Sequence, residues 1–227
     1  IFSTLKLKSY IKPGSRHFVI ANCYFTGYDP IPFQTTDVGH NIIHFDGISY
    51  YPALSLISLL NNDIIRACID WCDPNAYTLS ELESNYDSTI SELKSRESSV
   101  FDINVPVDIP ISDYIDLHYK SQYLFHTYNH PANILLVESV RRILRKLGIP
   151  GVSIGSNITH ELLCDTSSPP CPSVYLQCNM TFPYPKFSIG GKCYSTREAM
   201  SVFSSSLTNS DKHLHNQWIS TIKYGRT

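Results

Sequence analysis

One helix can be located in this sequence from its start and stop signals alone. Its apolar residues recur every three or four positions, at Leu136, Val140, Ile143 and Leu147. Such a spacing gives a helix one apolar face. Pro131 suits the first helical position, with Asn129 or His130 as the cap, because proline lacks the amide hydrogen that the first turn leaves unpaired. Gly148 favours the helix end. These signals predict a helix over residues 132–147.

Two capping boxes predict further helices. Thr78 with Glu81 begins an amphipathic pattern that runs to about residue 97, and Ser195 with Glu198 begins another. Weaker patterns predict helices over Pro52–Leu60, over Ser112–His118 with Ser112 as the cap, and from Ser210 onward. Two buried strands are predicted, at Arg16–Phe25 and Ile42–Phe45, from their β-branched and aromatic residues.

These elements predict an α/β fold that is predominantly α-helical with a small buried sheet. No repeat and no linker composition divides the chain, so we expect residues 1–227 to form a single domain. Residues 166–191 are rich in proline, serine and cysteine and have few periodic positions. We expect them to form a long irregular loop that packs on the helical body.

Charge and hydropathy exclude several classes of partner. The chain has 18 basic and 20 acidic residues, and a net charge of −2 offers no global field for nucleic acid. The longest apolar stretches, such as Ala53–Leu60, are far shorter than the roughly 20 residues of a membrane span. We therefore expect no nucleic acid partner and no membrane span, while the oligomeric state stays open.

The number and spacing of the cysteines give evidence on the cellular compartment and on metal binding. There are seven, at Cys23, Cys68, Cys72, Cys164, Cys171, Cys178 and Cys193. Their spacing does not match zinc knuckles, so no metal site is expected. We expect a cytoplasmic protein with reduced thiols. A secreted, disulfide-stabilised protein is the alternative, and the glycosylation sequons at Asn157 and Asn179 would fit it.

The segment that leads into the predicted helix holds two histidines, His126 and His130. Pro131 keeps the preceding residue out of the helical region, so the two imidazoles are not expected to share a helical face as metal ligands. At a helix N-terminus the dipole would lower the pKa of His130, and a neutral imidazole can act as a general base. The alternative is that residues 129–131 are only a cap and a turn.

A basic cluster follows on the same helix, formed by Arg141, Arg142, Arg145 and Lys146. Cations favour helix C-termini, and Glu138 can pair with Arg141 or Arg142, which explains the cluster structurally. The alternative is a phosphate site, since guanidinium groups bind phosphate oxygens in pairs. The sequence contains no Walker loop, no dinucleotide fingerprint and no nucleophile elbow.

Five segments follow one another along the chain, at Cys23–Pro30, Gly47–Leu60, Leu93–Glu97, Ile111–Ile115 and Leu124–Asn133. Taken in this order, they resemble the WcbI-like polysaccharide biosynthesis family. The most specific is the Asn-His-Pro segment at residues 129–131, and the similarity extends over about residues 18–150.

The resemblance implies a predominantly helical fold and a coenzyme-A-linked acetyltransferase that acts on a sugar of a polysaccharide. His130 would then be the general base, oriented by Glu97, and Asn129 would stabilise the oxyanion. The candidate residues for binding the cofactor phosphates are Arg96, Arg141, Arg142 and Arg145.

The family's Gly-Asn-Cys-Gln tetrapeptide, with its thiol, is not present in these 227 residues. Asn22-Cys23 is followed by a sequence that matches a later family segment, so Cys23 is expected at an ordinary core position. Either a preceding strand carries the thiol, or this member has lost it. The function hypotheses are therefore acyl transfer from coenzyme A to a sugar hydroxyl, and a non-catalytic glycan-binding or structural module in which some of the 15 tyrosines stack on sugars.

Overall fold

Helices form most of the regular structure in the computed structural model, which describes residues 14, 18–20, 23–29, 63–98, 107–149 and 160–206. The helices in these residues are α1 (Ile64–Cys72), α2 (Leu79–Ser98), α3 (Ser112–His118), α4 (Asn133–Lys146), α5 (Pro172–Gln177) and α6 (Thr196–Ser206). The strands are β1 (Phe125–Thr127), β2 (His130–Pro131), β3 (Thr166–Ser167), β4 (Phe187–Ile189) and β5 (Lys192–Tyr194).

Both predicted capping boxes are confirmed. The Thr78 amide donates to the Glu81 carboxylate at 2.7 Å, and the Glu81 amide donates back to the Thr78 hydroxyl at 3.3 Å. At α6 the Ser195 amide donates to Glu198 at 2.8 Å, with a reciprocal bond of 3.4 Å. Each box satisfies backbone donors that a helix start leaves unpaired, which explains why α2 and α6 begin at the predicted positions.

The helix predicted over residues 132–147 is confirmed as α4, but its predicted start is wrong. The N-cap is Ala132, in an extended conformation, and the first helical residue is Asn133. Pro131 and His130 instead form β2. The restriction that proline places on the residue before it favours an extended strand as readily as a helix cap. Consequently neither Asn129 nor His130 caps the helix.

The helix predicted over Ser112–His118 is confirmed as α3, but its predicted cap is wrong. Ile111 is the N-cap and Ser112 is the first helical residue. The hydrogen-bond acceptor at this helix start is the Glu97 carboxylate, to which the Ser112 backbone amide donates at 2.9 Å. A carboxylate at this position also complements the positive end of the helix dipole.

The prediction of a long irregular loop at residues 166–191 is wrong. This segment contains β3, α5 and β4, and β4 pairs antiparallel with both β3 and β5. The strands have only two or three residues each, which is too short for the alternating pattern that predicts strands. Pro172 at the first turn of α5 was the one local signal of a helix here.

The strand predicted at Arg16–Phe25 is not formed in the part of this segment that the structure describes. Only an isolated parallel bridge between Ile20 and Ile109 is present, and residues 23–25 have no regular structure. The strand predicted at residues 42–45 and the helices predicted over residues 52–60 and from residue 210 onward lie outside the described residues.

One hydrophobic core joins these elements. Phe25 stacks on Phe125 with ring centroids 5.4 Å apart, and Trp71 contacts Phe187 at 6.0 Å. Helix α1 packs on α6, and α2 packs on α3. The predicted fold class is therefore confirmed: a single domain, predominantly α-helical, with small antiparallel sheets. Among the described helices, none has both the length and the apolar character needed to cross a bilayer.

Candidate functional site

The two strands β1 and β2 form a tight hairpin that presents the candidate catalytic residues. Thr127 pairs with His130 across it, and Tyr128 and Asn129 form the turn. The register shifts between Phe125 and Thr127, which makes an irregularity of the kind that redirects side chains near active sites. The Thr127 hydroxyl donates to Asn129 Oδ1 at 3.0 Å. This bond orients the amide of Asn129 and leaves its NH₂ group as a donor.

His130 is half-buried in this hairpin, and its pKa is lowered below the usual histidine value. Burial is the main cause, and the nearby His126 adds to it, while a backbone hydrogen bond at Thr166 acts in the opposite direction. The sequence predicted a lowered pKa from a helix dipole, but His130 lies in a strand. Burial therefore favours the neutral imidazole, the form that a general base needs, and the Nδ1 atom of the ring is itself buried from solvent.

The loop at residues 23–29 lies against the hairpin. The Phe25 amide donates to the Tyr128 carbonyl at 2.7 Å, and the rings of Tyr24 and Tyr128 meet edge to face with centroids 5.0 Å apart. The guanidinium of Arg96 lies over the Tyr24 ring, 5.4 Å from its centroid. These contacts bring residues of the loop, the hairpin and α2 into one site.

Arg96 is the predicted phosphate-binding residue that the structure connects to the hairpin, through the ring of Tyr24. One of its terminal nitrogens pairs with Glu92 one helical turn away. Its Nε is buried and forms no hydrogen bond within the described part of the chain. A buried guanidinium donor without an acceptor is costly, and an anionic ligand would satisfy it.

Cys23 directly precedes Tyr24 in the chain and does not have the properties of a nucleophile. Burial, with the Glu97 charge as a smaller cause, raises the pKa of its thiol to about 11. A thiol with this pKa stays protonated at neutral pH, whereas a reactive cysteine requires the thiolate. Cys23 packs against the hydrophobic core, as expected from the sequence.

Glu97 is buried, and its carboxylate is committed to the start of α3. It accepts the amides of Ile111 and Ser112 and the hydroxyl of Ser112. Within the described residues, these are the hydrogen bonds of its side chain, and none joins it to His130. The predicted role of Glu97 in orienting His130 therefore finds no support in the geometry.

The carboxylate that does bind the hairpin is Glu161, which the sequence did not indicate. Its Oε2 lies 3.1 Å from His126 Nε2 and accepts the Asn133 amide at 2.9 Å. The Asn133 side chain in turn donates to the His160 carbonyl at 2.7 Å. Glu161 therefore caps α4 and anchors the buried His126. No local pattern identifies a capping residue 28 positions after the helix start it serves.

The predicted basic cluster on α4 is mostly neutralised by nearby acidic residues. Arg142 pairs with Asp113 at 2.6 Å and with Glu138 at 2.9 Å, and Lys146 pairs with Asp108 at 2.6 Å. Arg142 also donates to the Pro110 carbonyl at 2.8 Å. These pairs attach α4 to residues 108–113, which favours the structural explanation of the cluster over a phosphate site.

The other two arginines of the cluster have weaker contacts. Arg141 lies 3.9 Å from Glu138, and Arg145 is exposed and forms no ion pair with any described residue. Four arginines were predicted to bind a cofactor. Arg96 lies near the hairpin, Arg142 is held in structural pairs, and Arg141 and Arg145 are exposed on the helix surface.

The described residues contain no cluster of three or more histidine, cysteine or acidic side chains arranged to hold a metal ion. Cysteines 68, 72, 164, 171, 178 and 193 are thiols and form no disulfides. Burial raises the pKa of Cys171 to about 12, so this residue is a core thiol and not a reactive one.

Comparison with known proteins assigns the family. The model of the polysaccharide biosynthesis enzyme WcbI matches residues 2–152, about two thirds of the chain. The chain belongs to the WcbI family. Residues 129–131, which carried the resemblance in sequence, lie within the matched range and in the hairpin described above.

A solved structure agrees in fold with this WcbI-family chain. It is the native protein WcbI, which is described as a novel polysaccharide biosynthesis enzyme. In this form there is no disulfide bond between coenzyme A and a cysteine. The TM-score is 0.75 at 18% identity, and the alignment covers 99% of this chain and 73% of that one. No curated protein matches the chain by sequence.

Proposed function

We propose that this chain transfers an acyl group, most simply acetyl, from a coenzyme A thioester to a sugar hydroxyl during polysaccharide biosynthesis. The observation that supports this best is the half-buried His130, whose pKa is lowered, on the same hairpin as an oriented Asn129. Family membership provides the polysaccharide context, and the WcbI structure is described together with coenzyme A. We also propose a cytoplasmic location, which the free thiols of the six cysteines named above would suit.

Beside the hairpin, one residue could bind a phosphate group of the anionic cofactor, and that residue is Arg96. Arg96 has a buried Nε without an acceptor, and its guanidinium lies over Tyr24. Arg96 would hold a phosphate oxygen, and the tyrosine would give the ligand an aromatic edge. When bound, coenzyme A would supply the activated acyl thioester. Arg142 does not fit, because binding a phosphate would break its two ion pairs.

In the proposed mechanism, the unprotonated ring nitrogen of His130 accepts the proton of the sugar hydroxyl as its oxygen attacks the acyl carbonyl. The Asn129 NH₂ donates to the oxygen that gains negative charge. The C–S bond of the thioester then breaks, and the imidazolium of His130 returns its proton to the departing sulfur. The new C–O bond balances the C–S bond that is lost, and His130 ends in its starting state.

The thiol of Cys23 supports direct transfer over an acyl intermediate on Cys23. With a pKa of about 11 it holds its proton at neutral pH and is a poor nucleophile. Direct transfer requires donor and acceptor to bind together, so it predicts sequential kinetics and not ping-pong kinetics.

Release of free thiol from acetyl-CoA in the presence of sugar acceptors tests this proposal. The wild-type chain should release thiol in an acceptor-dependent manner. His130→Ala should reduce this release at least about 100-fold, the lower end of what general base catalysis contributes. His118→Ala is the matched control, because His118 lies on α3, where its ring contacts Tyr114. Equal turnover by His130→Ala and the wild type would contradict the role of His130.

The second candidate is a non-catalytic glycan-binding module on the same fold. It is favoured by the protonated state of Cys23, because a thiol with a pKa of about 11 is a poor nucleophile at neutral pH. This candidate predicts saccharide binding without thiol release under any acceptor condition. The same assay therefore distinguishes the two functions.

A further inference from the structure

A cleft of about 450 Å³ lies between the first half of α2 and the segments that follow α3 and α5. Its volume falls within the range of roughly 300–1,000 Å³ that is usual for small-molecule sites. It is lined by residues of α2 together with residues 119–120 and 177–179. None of the candidate site residues discussed above lines it, so it is a separate site.

Two stacked tyrosines line one side of this cleft. The rings of Tyr86 and Tyr119 lie 4.2 Å apart between centroids, with an angle of 21° between their planes. Tyr86 donates its hydroxyl hydrogen to Asp116. The partly exposed ring of Tyr86 gives the cleft an apolar face with a fixed orientation, which suits the C–H face of a sugar ring.

Two carboxylates line the cleft beside the tyrosines. Glu83 and Asp87 are one helical turn apart on α2, and both are exposed. Neither forms a hydrogen bond or an ion pair with any residue in the described part of the chain. Like charges at this spacing destabilise a helix by a few tenths of a kcal/mol. Both carboxylates can therefore accept hydrogen bonds from the hydroxyl groups of a ligand in the cleft.

Lys120 and Asn179 complete the polar lining. The Lys120 ammonium lies 5.5 Å from the centroid of the Tyr119 ring and supplies one positive charge against the two carboxylates. Asn179 adds an amide that can both donate and accept. This lysine already lies over the Tyr119 ring, so that ring is not vacant for a ligand cation. The remaining negative charge disfavours acidic sugars.

We propose that this cleft is a saccharide-binding subsite for a neutral, hydroxyl-rich sugar. Glu83 and Asp87 accept hydrogen bonds from the sugar hydroxyls, and Tyr86 packs against the sugar ring. That this sugar belongs to the acceptor glycan rests on the proposed function.

The subsite is connected to the hairpin site through α2. The Thr26 and Thr89 hydroxyls lie 2.6 Å apart, and Asn85 Nδ2 donates to the Thr26 carbonyl at 3.0 Å. Asp87 and Arg96 are nine residues apart on this helix, or about 14 Å at 1.5 Å per residue. The cleft would thus bind a sugar unit remote from the one that reacts.

Titration of the ¹⁵N-labelled full chain with methyl β-D-glucopyranoside and methyl α-D-mannopyranoside tests the proposal by NMR. We expect at least one glycoside to shift the amide signals of residues 83–87, 119–120 and 177–179. Glucuronic acid and choline serve as charged probes of the same cleft. The proposal is overturned if neither glycoside shifts these signals, or if a charged probe shifts them and the glycosides do not.

The double variant Glu83→Gln/Asp87→Asn provides the matching genetic test. It should weaken the glycoside affinity about tenfold or more, because hydrogen bonds to charged acceptors are lost. Its thermal stability should be unchanged or higher, since a like-charge pair is removed. Asp70→Asn on α1 is the control, because it removes a carboxylate paired with Arg66 outside the cleft. Equal glycoside affinity in the double variant and the wild type would overturn the proposal.

The binding titration needs no thioester, so it fails independently of the acyl-transfer assay. A chain that binds glycosides in the cleft but releases no thiol would contradict acyl transfer and leave the subsite standing. A chain that releases thiol without shifts in the cleft would retain acyl transfer and contradict the subsite.

Discussion

The backbone amide of Phe25 donates a 2.7 Å hydrogen bond to the carbonyl oxygen of Tyr128. This contact between residues 103 positions apart places the loop at residues 23–29 against the β1–β2 hairpin. It brings Tyr24, with the guanidinium of Arg96 over its ring, to the strand that holds His130.

The pH dependence of the reaction should follow His130. Its pKa is lowered mainly by burial, so the imidazole is unprotonated at neutral pH and gains its proton only below the usual histidine range. kcat/KM should therefore be constant around neutral pH and fall on the acidic side as the pH passes through this lowered pKa. His130→Ala should lack this acidic decline as well as most of the activity. A decline centred above the usual histidine value would contradict the burial argument.

Removal of the Glu97 carboxylate should destabilise the fold. Glu97→Ala would leave two buried backbone amides and the Ser112 hydroxyl without their acceptor. We expect the free energy of unfolding, measured with urea, to fall by roughly 2–3 kcal/mol. Glu97→Gln keeps an acceptor oxygen and should lose less. Equal losses in the two variants would show that the charge, and not the hydrogen bonding, determines the effect.

The arginines should separate into a binding class and a structural class. Arg96→Ala should raise the KM for acetyl-CoA about tenfold, since it removes the proposed phosphate contact. Arg142→Ala should instead lower the melting temperature, because it breaks pairs with Asp113 and Glu138, and should leave the KM for acetyl-CoA close to the wild-type value. The reverse pattern would place the cofactor on α4. Arg145→Ala, at an exposed position, is the control for charge alone.

Cys23 should not be required for turnover. Cys23→Ser should retain most of the wild-type kcat, because the thiol, with a pKa of about 11, is protonated at neutral pH. Iodoacetamide should modify Cys23 slowly at pH 7, in line with its small thiolate fraction. Loss of turnover in a folded Cys23→Ser variant, together with an acetylated Cys23 in the wild type, would establish a covalent intermediate and contradict direct transfer.

Local signals in the sequence located α2, α3, α4 and α6, but α1 and α5 were not predicted. Short segments contain the interactions that determine these helices. The capping boxes at Thr78 and Ser195 and the apolar pattern of α4 involve residues within one or two turns of each other. The error at Pro131 also has a local origin, since proline suits both a first helical turn and the end of a short strand.

The site was only partly predictable because long-range contacts complete it. Asn129, His130 and Arg96 were identified from their chemistry and from the family resemblance, and the structure places all three in or beside the hairpin site. Glu161 binds His126 across 35 positions, and no local pattern indicates such a pair. The structural use of Glu97 and Arg142 likewise depends on partners in residues 108–113.

Mass spectrometry of the sugar product tests the central claim most directly. The wild-type chain and His130→Ala would be incubated with [¹³C]acetyl-CoA and a panel of neutral glycosides. Acyl transfer by His130 predicts a labelled O-acetyl sugar with the wild type and a yield at least about 100-fold lower with the variant. No labelled sugar from a folded wild-type chain with any glycoside, or equal yields from both proteins, would contradict it.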